Sequence, residues 1–327
     1  MAGGTRGCPA RRWRFDPARD SPPRSQTEPP GIRFVSASLR VTLVAALLAP
    51  RHLIFTALEG ALVDSRTGSF AEAEEALSEL DRRKIAFILL TSRTRAEIEP
   101  IRRKLGHNHP FITEAGGGVF FPDGYFNIRI PGAVRTGRYL CIVQGRPYEE
   151  VCTALDDIAE ECGVGVAGFH HMSPREIADN TGLRPRDAEL ARNREYDEPF
   201  FFTSADEKAI ARFVATASER GYLARPGKLF WHLSAGCDPA RAVRTGTQLF
   251  REATRSRLST VGIGAEAGDL PWLRVVDHAF LLPGSSANAA ASGTDQAIAR
   301  AGRNIALGDA PGPAGWSSVI LKIIGES

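Results

Sequence analysis

The chain has 327 residues, 43% hydrophobic and 24% charged, with a formal net charge of +3. That is long enough for one large or two modest domains, its balance suits a globular protein with a real core, and the small charge gives no footprint of a nucleic-acid partner. Five cysteines, Cys8, Cys141, Cys152, Cys162 and Cys237, make an odd set with no CxxC pair, so neither a disulfide framework nor a zinc motif is expected.

The cysteines read as reduced thiols of a cytoplasmic protein, each a small buried hydrophobe. The basic residues are almost all Arg, a bias that a GC-rich genome produces as readily as function does. Residues 1–50 are rich in Arg, Pro, Gly and Ser with little apolar periodicity, and are expected to lack packed structure. Within them "VTLVAALLAP" is too short to span a bilayer, so no membrane association is expected. A transit peptide and a mis-assigned upstream start both stay open as readings of this segment.

From residue 51 a regular alternation begins. "HLIFTA" reads as a buried strand. "FAEAEEALSELDRRK" reads as an amphipathic helix. "IAFILLTS" reads as a second buried strand and "RTRAEIEPIRRKLG" as a helix that Gly106 stops. "PFITEAGGGVFFPDG" reads as a third strand, a Gly-rich turn and a hairpin. This is the rhythm of an α/β fold, a doubly wound parallel sheet.

Residues 136–234 break the rhythm and read as an α+β insert. "RPYEEVCTALDDIAEECG" is a helix, and Ser173, Pro174 and Glu176 in "MSPREIADNTG" form a capping-box start. "RPRDAELARNREYDEPFFF" reads as helix into strand, and Ser204 or Asp206 caps the helix that follows. His170 and His171 are adjacent, so on a strand they face opposite sides and no metal site is expected from them. The α/β rhythm returns with "DPARAVRTGTQLFRE" (helix), "STVGIGAEAGDLPWLRVV" (strand, loop, helix), "HAFLLP" (strand), a low-complexity loop "SSANAAASGTDQ", and a closing helix "GPAGWSSVILKIIG".

Five strings in this order resemble one family: "TSRTRAEIEPIRRKLG", "PFITEAGGGVFFP", "MSPREIADNTGL", "REYDEPF" and "GPAGWSSVILKIIG". They are similar to the haloacid dehalogenase superfamily of phosphatases and, within it, to the mannosyl-3-phosphoglycerate phosphatases. The likeness covers about 51–327. It implies a Rossmann-like core, 51–135 and 235–327, with an inserted cap, 136–234. It also implies a reaction: an Asp nucleophile, a second Asp as general acid and base, a hydroxyl and a Lys on the phosphoryl oxygens, and Mg²⁺ against developing charge.

Matched position by position, the motifs depart from that pattern. In "ALEGA" Ala57 stands at the nucleophile, Glu59 at the acid/base and Ala61 at a Thr. Thr91 stands at the phosphate-binding hydroxyl with Ser92 beside it, and either also reads as a helix N-cap. In "DPARAV" Pro239 takes the Lys position; Arg241 lies roughly 200° further round a helix. Lys228, upstream, is a weak candidate for a rescuing cation. In "GAEAGD" Ala265 takes the principal metal-ligand position, so Asp269 and Glu266 would have to rebuild the Mg²⁺ site, and Asp269 also reads as an N-cap.

In the cap, Arg194 suits a carboxylate or phosphate, and Glu195, Asp197 and Glu198 suit sugar hydroxyls; the alternative is a structural charge network. The expectation is a pseudophosphatase that keeps the fold and binds a sugar phosphate such as mannosyl-3-phosphoglycerate, with the cognate glycosyltransferase as a candidate partner. The alternatives are an active Mg²⁺-dependent phosphatase in which Glu59 or Glu266 activates water, and a non-catalytic interaction protein.

Overall fold

A computed structural model describes residues 51–227, 229–284 and 305–325. The tail 1–50, Lys228 and the expected loop 285–296 lie outside the described residues.

Strand β1 (Arg51–Ala57) carries Leu53, Ile54 and Phe55, all fully buried, because both faces of the sheet are covered. The expected first helix opens with a 3-10 turn, Ala71–Ala73, before α1 (Glu74–Arg83). Strand β2 (Ala86–Leu90) follows, then α2 (Arg95–Lys104). The cap of α2 is Thr94, not Thr91 or Ser92. Thr94 Oγ1 accepts from Glu97 N at 3.1 Å, and Glu97 Oε2 accepts from Thr94 N at 2.9 Å, a reciprocal pair that fixes the helix start three residues later than Thr91. Strand β3 (Phe111–Thr113) leads into β4 (Gly118–Pro122), β5 (Val134–Thr136) and β6 (Tyr139–Val143).

The insert supplies α3 (Tyr148–Cys162), β7 (Gly165–Gly168), α4 (Pro174–Thr181), α5 (Pro185–Arg192), β8 (Asp197–Ser204), α6 (Glu207–Glu219), β9 (Leu223–Pro226) and β10 (Trp231–Ser234). Its strands form a separate antiparallel sheet in the order β7-β8-β10-β9. Residues on β8 alternate between two cores. Phe200 packs with Val151, Leu155, Ile158 and Phe213 of α3 and α6, while Phe201 packs with Phe169, Ile177, Ala188 and Phe230. The Ser173 capping box forms as expected, and Asp206 rather than Ser204 caps α6, accepting from Ala209 N at 2.7 Å.

One expectation fails here. His170 and His171 lie not on a strand but in a 3-10 turn, Phe169–His171, and their rings are 3.7 Å apart on one side.

The chain then returns through α7 (Pro239–Thr254), β11 (Leu258–Gly264), α8 (Leu270–Leu273), β12 (His278–Leu281), β13 (Ile305–Leu307) and α9 (Gly312–Gly325). Strands β1 to β6 and β11 to β13 make one nine-stranded sheet, order β13-β12-β11-β1-β2-β3-β4-β6-β5. The run from β13 to β3 is parallel and the β4-β6-β5 edge is antiparallel. The expected insert boundary at 136 therefore cuts the β5–β6 hairpin, whose strands pair within the large sheet. Three-residue β13 carried no pattern long enough to read.

Candidate functional site

Loops after β1, β2 and β11 meet at the carboxyl edge of the parallel strands, where α/β sheets bind ligands, and the start of α7 packs on Gly116 in the loop after β3. β1 ends at Ala57, and the chain folds back through a tight loop. Gly60 N donates to Val63 O (2.8 Å), Val63 N to Leu58 O (2.9 Å) and Leu58 N to Leu90 O (2.9 Å); Gly60 sits at φ 75°. Beneath it, Thr56 Oγ1 donates to Ala57 O (3.0 Å) and accepts from Trp316 Nε1 (2.9 Å). The backbone of a phosphate-handling loop is intact, and Ala57, buried at its head, presents a methyl group.

Glu59 turns onto the loop after β2. Thr91 Oγ1 donates to Glu59 Oε2 at 2.9 Å and accepts from Arg93 N at 3.1 Å. Arg93 Nε pairs with Glu59 Oε1. Burial opposes the charge on Arg93, yet Glu59, Glu97 and Asp187 of the cap raise its pKa. Arg93 was not singled out from sequence; its signal was its place two residues after Thr91. Ser92 contributes its carbonyl to Arg194 Nη2 at 3.1 Å.

The N-terminus of α7 is likewise filled from within. Pro239 is its first residue, and Asp238 Oδ1 accepts from Ala240 N (2.8 Å) and Arg241 N (3.1 Å). Arg241 turns away, held by Gln144 Oε1 and Gln144 O at 3.0 Å each. The site of Lys228 is outside the described residues.

After β11, Asp269 folds onto its own loop. Its Oδ2 accepts from Ala265 N (2.8 Å) and Glu266 N (3.1 Å), and its Oδ1 from Trp272 Nε1 (2.9 Å). Burial raises its pKa and these bonds oppose the rise. Asp269 precedes α8, but its carboxylate faces back into the loop rather than capping the helix. A hard Mg²⁺ ion asks for carboxylate oxygens in near-octahedral order. Ala57 and Ala265 offer no side-chain oxygen, both oxygens of Asp269 accept from their own loop, and Glu266 is exposed, so the set Asp269 and Glu266 does not fit the ion.

The cap residues selected from sequence converge on the joint between cap and core. Arg194 and Asp197 pair with each other, and both are buried. Glu114, at φ 47° in the loop after β3, accepts from Glu195 N (3.0 Å), Tyr196 N (2.8 Å) and Asp197 N (3.0 Å). Asp197 Oδ2 meets His232 Nδ1 at 2.8 Å. Burial would raise the Asp197 carboxyl, but Arg194 and His232 hold it down, to about 2. Burial drives Glu114 up, to about 7, against the pull of Arg194. Glu195 crosses to the core and pairs with Arg95 Nη2 at 3.1 Å. Glu198 faces the other way, beneath α3, with Oε1 on His170 N at 3.1 Å. Of these groups the side chains of Arg194, Asp197 and Glu198 are buried and engaged with protein partners. Glu114 gave no sequence signal, since nothing in "TEAGGG" marks its positive φ.

A Rossmann-like core with an α+β cap, and a loop cluster at the strand ends, define a capped protein of the haloacid dehalogenase type. A haloacid dehalogenase-like hydrolase from Bacteroides thetaiotaomicron superimposes with a TM-score of 0.53 over 84% of this chain and 99% of that one, at 14% identity. No family model matches the chain. Two curated relatives, from Methanococcoides burtonii and Persephonella marina, are each called a glucosyl-3-phosphoglycerate/mannosyl-3-phosphoglycerate phosphatase. Each is 34% identical over 277 residues, the first over 85% of this chain and 98% of its own length, the second over 84% and 97%. The chain belongs to this phosphatase family.

Proposed function

We propose that this chain is a pseudophosphatase: it binds a sugar phosphate of the class its relatives are named for, mannosyl- or glucosyl-3-phosphoglycerate, without hydrolysing it at enzymatic rates. The observation that carries the reading is Ala57 at the head of an intact loop. Phosphate-monoester hydrolysis asks an enzyme for about 20 kcal/mol or more of barrier lowering. Ala57 supplies no nucleophile, Pro239 no cation, and the Asp269 loop no fit for Mg²⁺.

Binding is a different matter. Thr91 Oγ1 and the Arg93 guanidinium form an anion cradle that Glu59 now fills. A phosphoryl group that displaces Glu59 inherits its hydrogen bond from Thr91 and its pairing with Arg93. The cap, 136–234, then frames the sugar and glycerate. Two roles suit such a protein: a sensor of the metabolite, and a partner of the glycosyltransferase that makes it.

The test is phosphate release from mannosyl-3-phosphoglycerate by purified protein with Mg²⁺, beside calorimetric binding of the same compound. Binding without release is expected. Turnover at ordinary enzymatic rates that disappears in Glu59→Ala overturns the proposal and assigns water activation to Glu59.

A further inference from the structure

Under helix α3, away from the strand-end loops, three groups of different chemistry come together. Cys152, His170 and Glu198 place their ligand atoms within 4.8 Å of one another. Cys152 and Glu198 are buried and His170 is partly so. Each comes from a different element: α3, the Phe169–His171 turn and β8. His170 Nδ1 is 2.7 Å from Glu198 Oε1. Glu198 Oε2 and the Tyr148 hydroxyl, one turn before Cys152, are both wholly buried, and although the two side chains interact neither atom completes a well-formed hydrogen bond. An orphaned carboxylate oxygen in the interior is costly. A bound ion is one remedy.

The surroundings fit a metal. On the far side of the imidazole, His170 Nε2 meets Asp156 Oδ2 at 3.2 Å. A carboxylate behind a ligating histidine is the common outer partner at zinc sites, where it fixes the ring and its tautomer. Gly168 lets the carboxylate approach: a Cβ there would stand 2.2 Å from Glu198 Oε1. A thiolate, an imidazole and a carboxylate are a borderline-soft donor set, matched to Zn²⁺ rather than Mg²⁺.

We propose that Cys152, His170 Nδ1 and Glu198 bind a zinc ion in the cap, with Asp156 as the outer partner of His170. On binding, the proton between His170 and Glu198 and the Cys152 thiol proton are both released to solvent, and the ion ties α3 to β8.

The full chain, stripped with a chelator, is titrated with Zn²⁺ against a chromophoric competitor and separately with Co²⁺. One tightly held ion is expected, with the near-ultraviolet sulfur-to-cobalt band of a thiolate ligand. Cys152→Ser should lose that band and bind at least ~100-fold more weakly, and Asp156→Asn should weaken binding about 10- to 100-fold. Cys162→Ser, a buried cysteine outside the cluster, should change neither. Circular dichroism checks that each variant is folded. If Cys152→Ser does not fold, the band in the parent and its loss of affinity in Asp156→Asn carry the test. No bound ion, or cobalt bound without the sulfur band, overturns the proposal. The second outcome would place the ion on the outer set Asp156, His170 and His171.

Discussion

Alanine at 57 and at 265 removes side-chain oxygens from the two loops that handle phosphate and metal in the family pattern, and Glu59 answers a third change. One methylene longer than Asp, it reaches Thr91 Oγ1 and Arg93 together. A charge-assisted contact is worth about 1.5–3 kcal/mol. Glu59→Ala should therefore tighten inorganic phosphate or mannosyl-3-phosphoglycerate binding about tenfold, measured by calorimetry. Unchanged or weaker binding would mean that Glu59 does not compete for the cradle. At the joint, Asp197→Asn should cost about 3–5 kcal/mol in chemical denaturation, because Arg194 is left buried without its partner. Its pH dependence has a definite sign. The Asp197 carboxyl is depressed in the folded chain to about 2, so its stabilisation is full above the ordinary carboxyl pKa and fades as pH falls towards 2. Arg194, Arg225, His232 and Glu114 face it. The gap between parent and variant should shrink as pH falls below the ordinary carboxyl range towards 2, while Glu114 titrating near 7 adds a separate change above it.

Among the elements, the start of α2 does more than begin a helix. Thr94 Oγ1 accepts from Glu97 N and donates to Leu190 O, so one hydroxyl caps a core helix and holds the cap's α5. Thr94→Ala should lower stability by about 1 kcal/mol, and proteolysis near Leu190 should quicken; a stability loss with unchanged proteolysis would assign the hydroxyl to capping alone. In β8 the alternation of Phe200 and Phe201 serves two cores, which is why the strand carries three consecutive Phe, Phe200–Phe202. Phe200→Ala should cost about 3–5 kcal/mol and show first in probes of the cap, such as the fluorescence of Trp231.

At the scale of the whole molecule, the strings that carry the family likeness build the joint. "TEAGGG" supplies Glu114, and "REYDEPF" supplies the three amides that Glu114 accepts from, together with the Arg194–Asp197 pair. Arg95 and Glu195 add a second bridge between core and cap. No described helix is long and apolar enough to cross a membrane. A chain that keeps its loop, cap and joint while replacing its reactive atoms suits recognition more than turnover. Restoring Ala57→Asp alone should leave phosphate release at background, because Pro239 and Ala265 still lack their groups and parts acting as a unit fail together; appreciable release would show that the Lys and metal positions are dispensable here.

The order of strands and helices was legible from period and composition, since burial on both faces gives runs such as "LIF" and "FILL" and an exposed helix face gives charges. The replaced positions, Ala57, Pro239 and Ala265, were legible too, because a missing functional group is a property of the residue itself. What side chains do with their charge was not. Arg194, Asp197 and Glu198 suited a ligand by type, yet which partner a charge meets depends on elements far apart in the chain, Glu114 and His232 for the first two and His170 for the third. The histidine pair went the same way: a 3-10 turn in place of a strand put both rings on one side, beside Asp156. Local pattern determined the elements and the residues standing at the family's reactive positions. Only the tertiary packing decided that one set of charges locks a joint and another gathers beneath a helix, because those contacts exist only once the two sheets are formed.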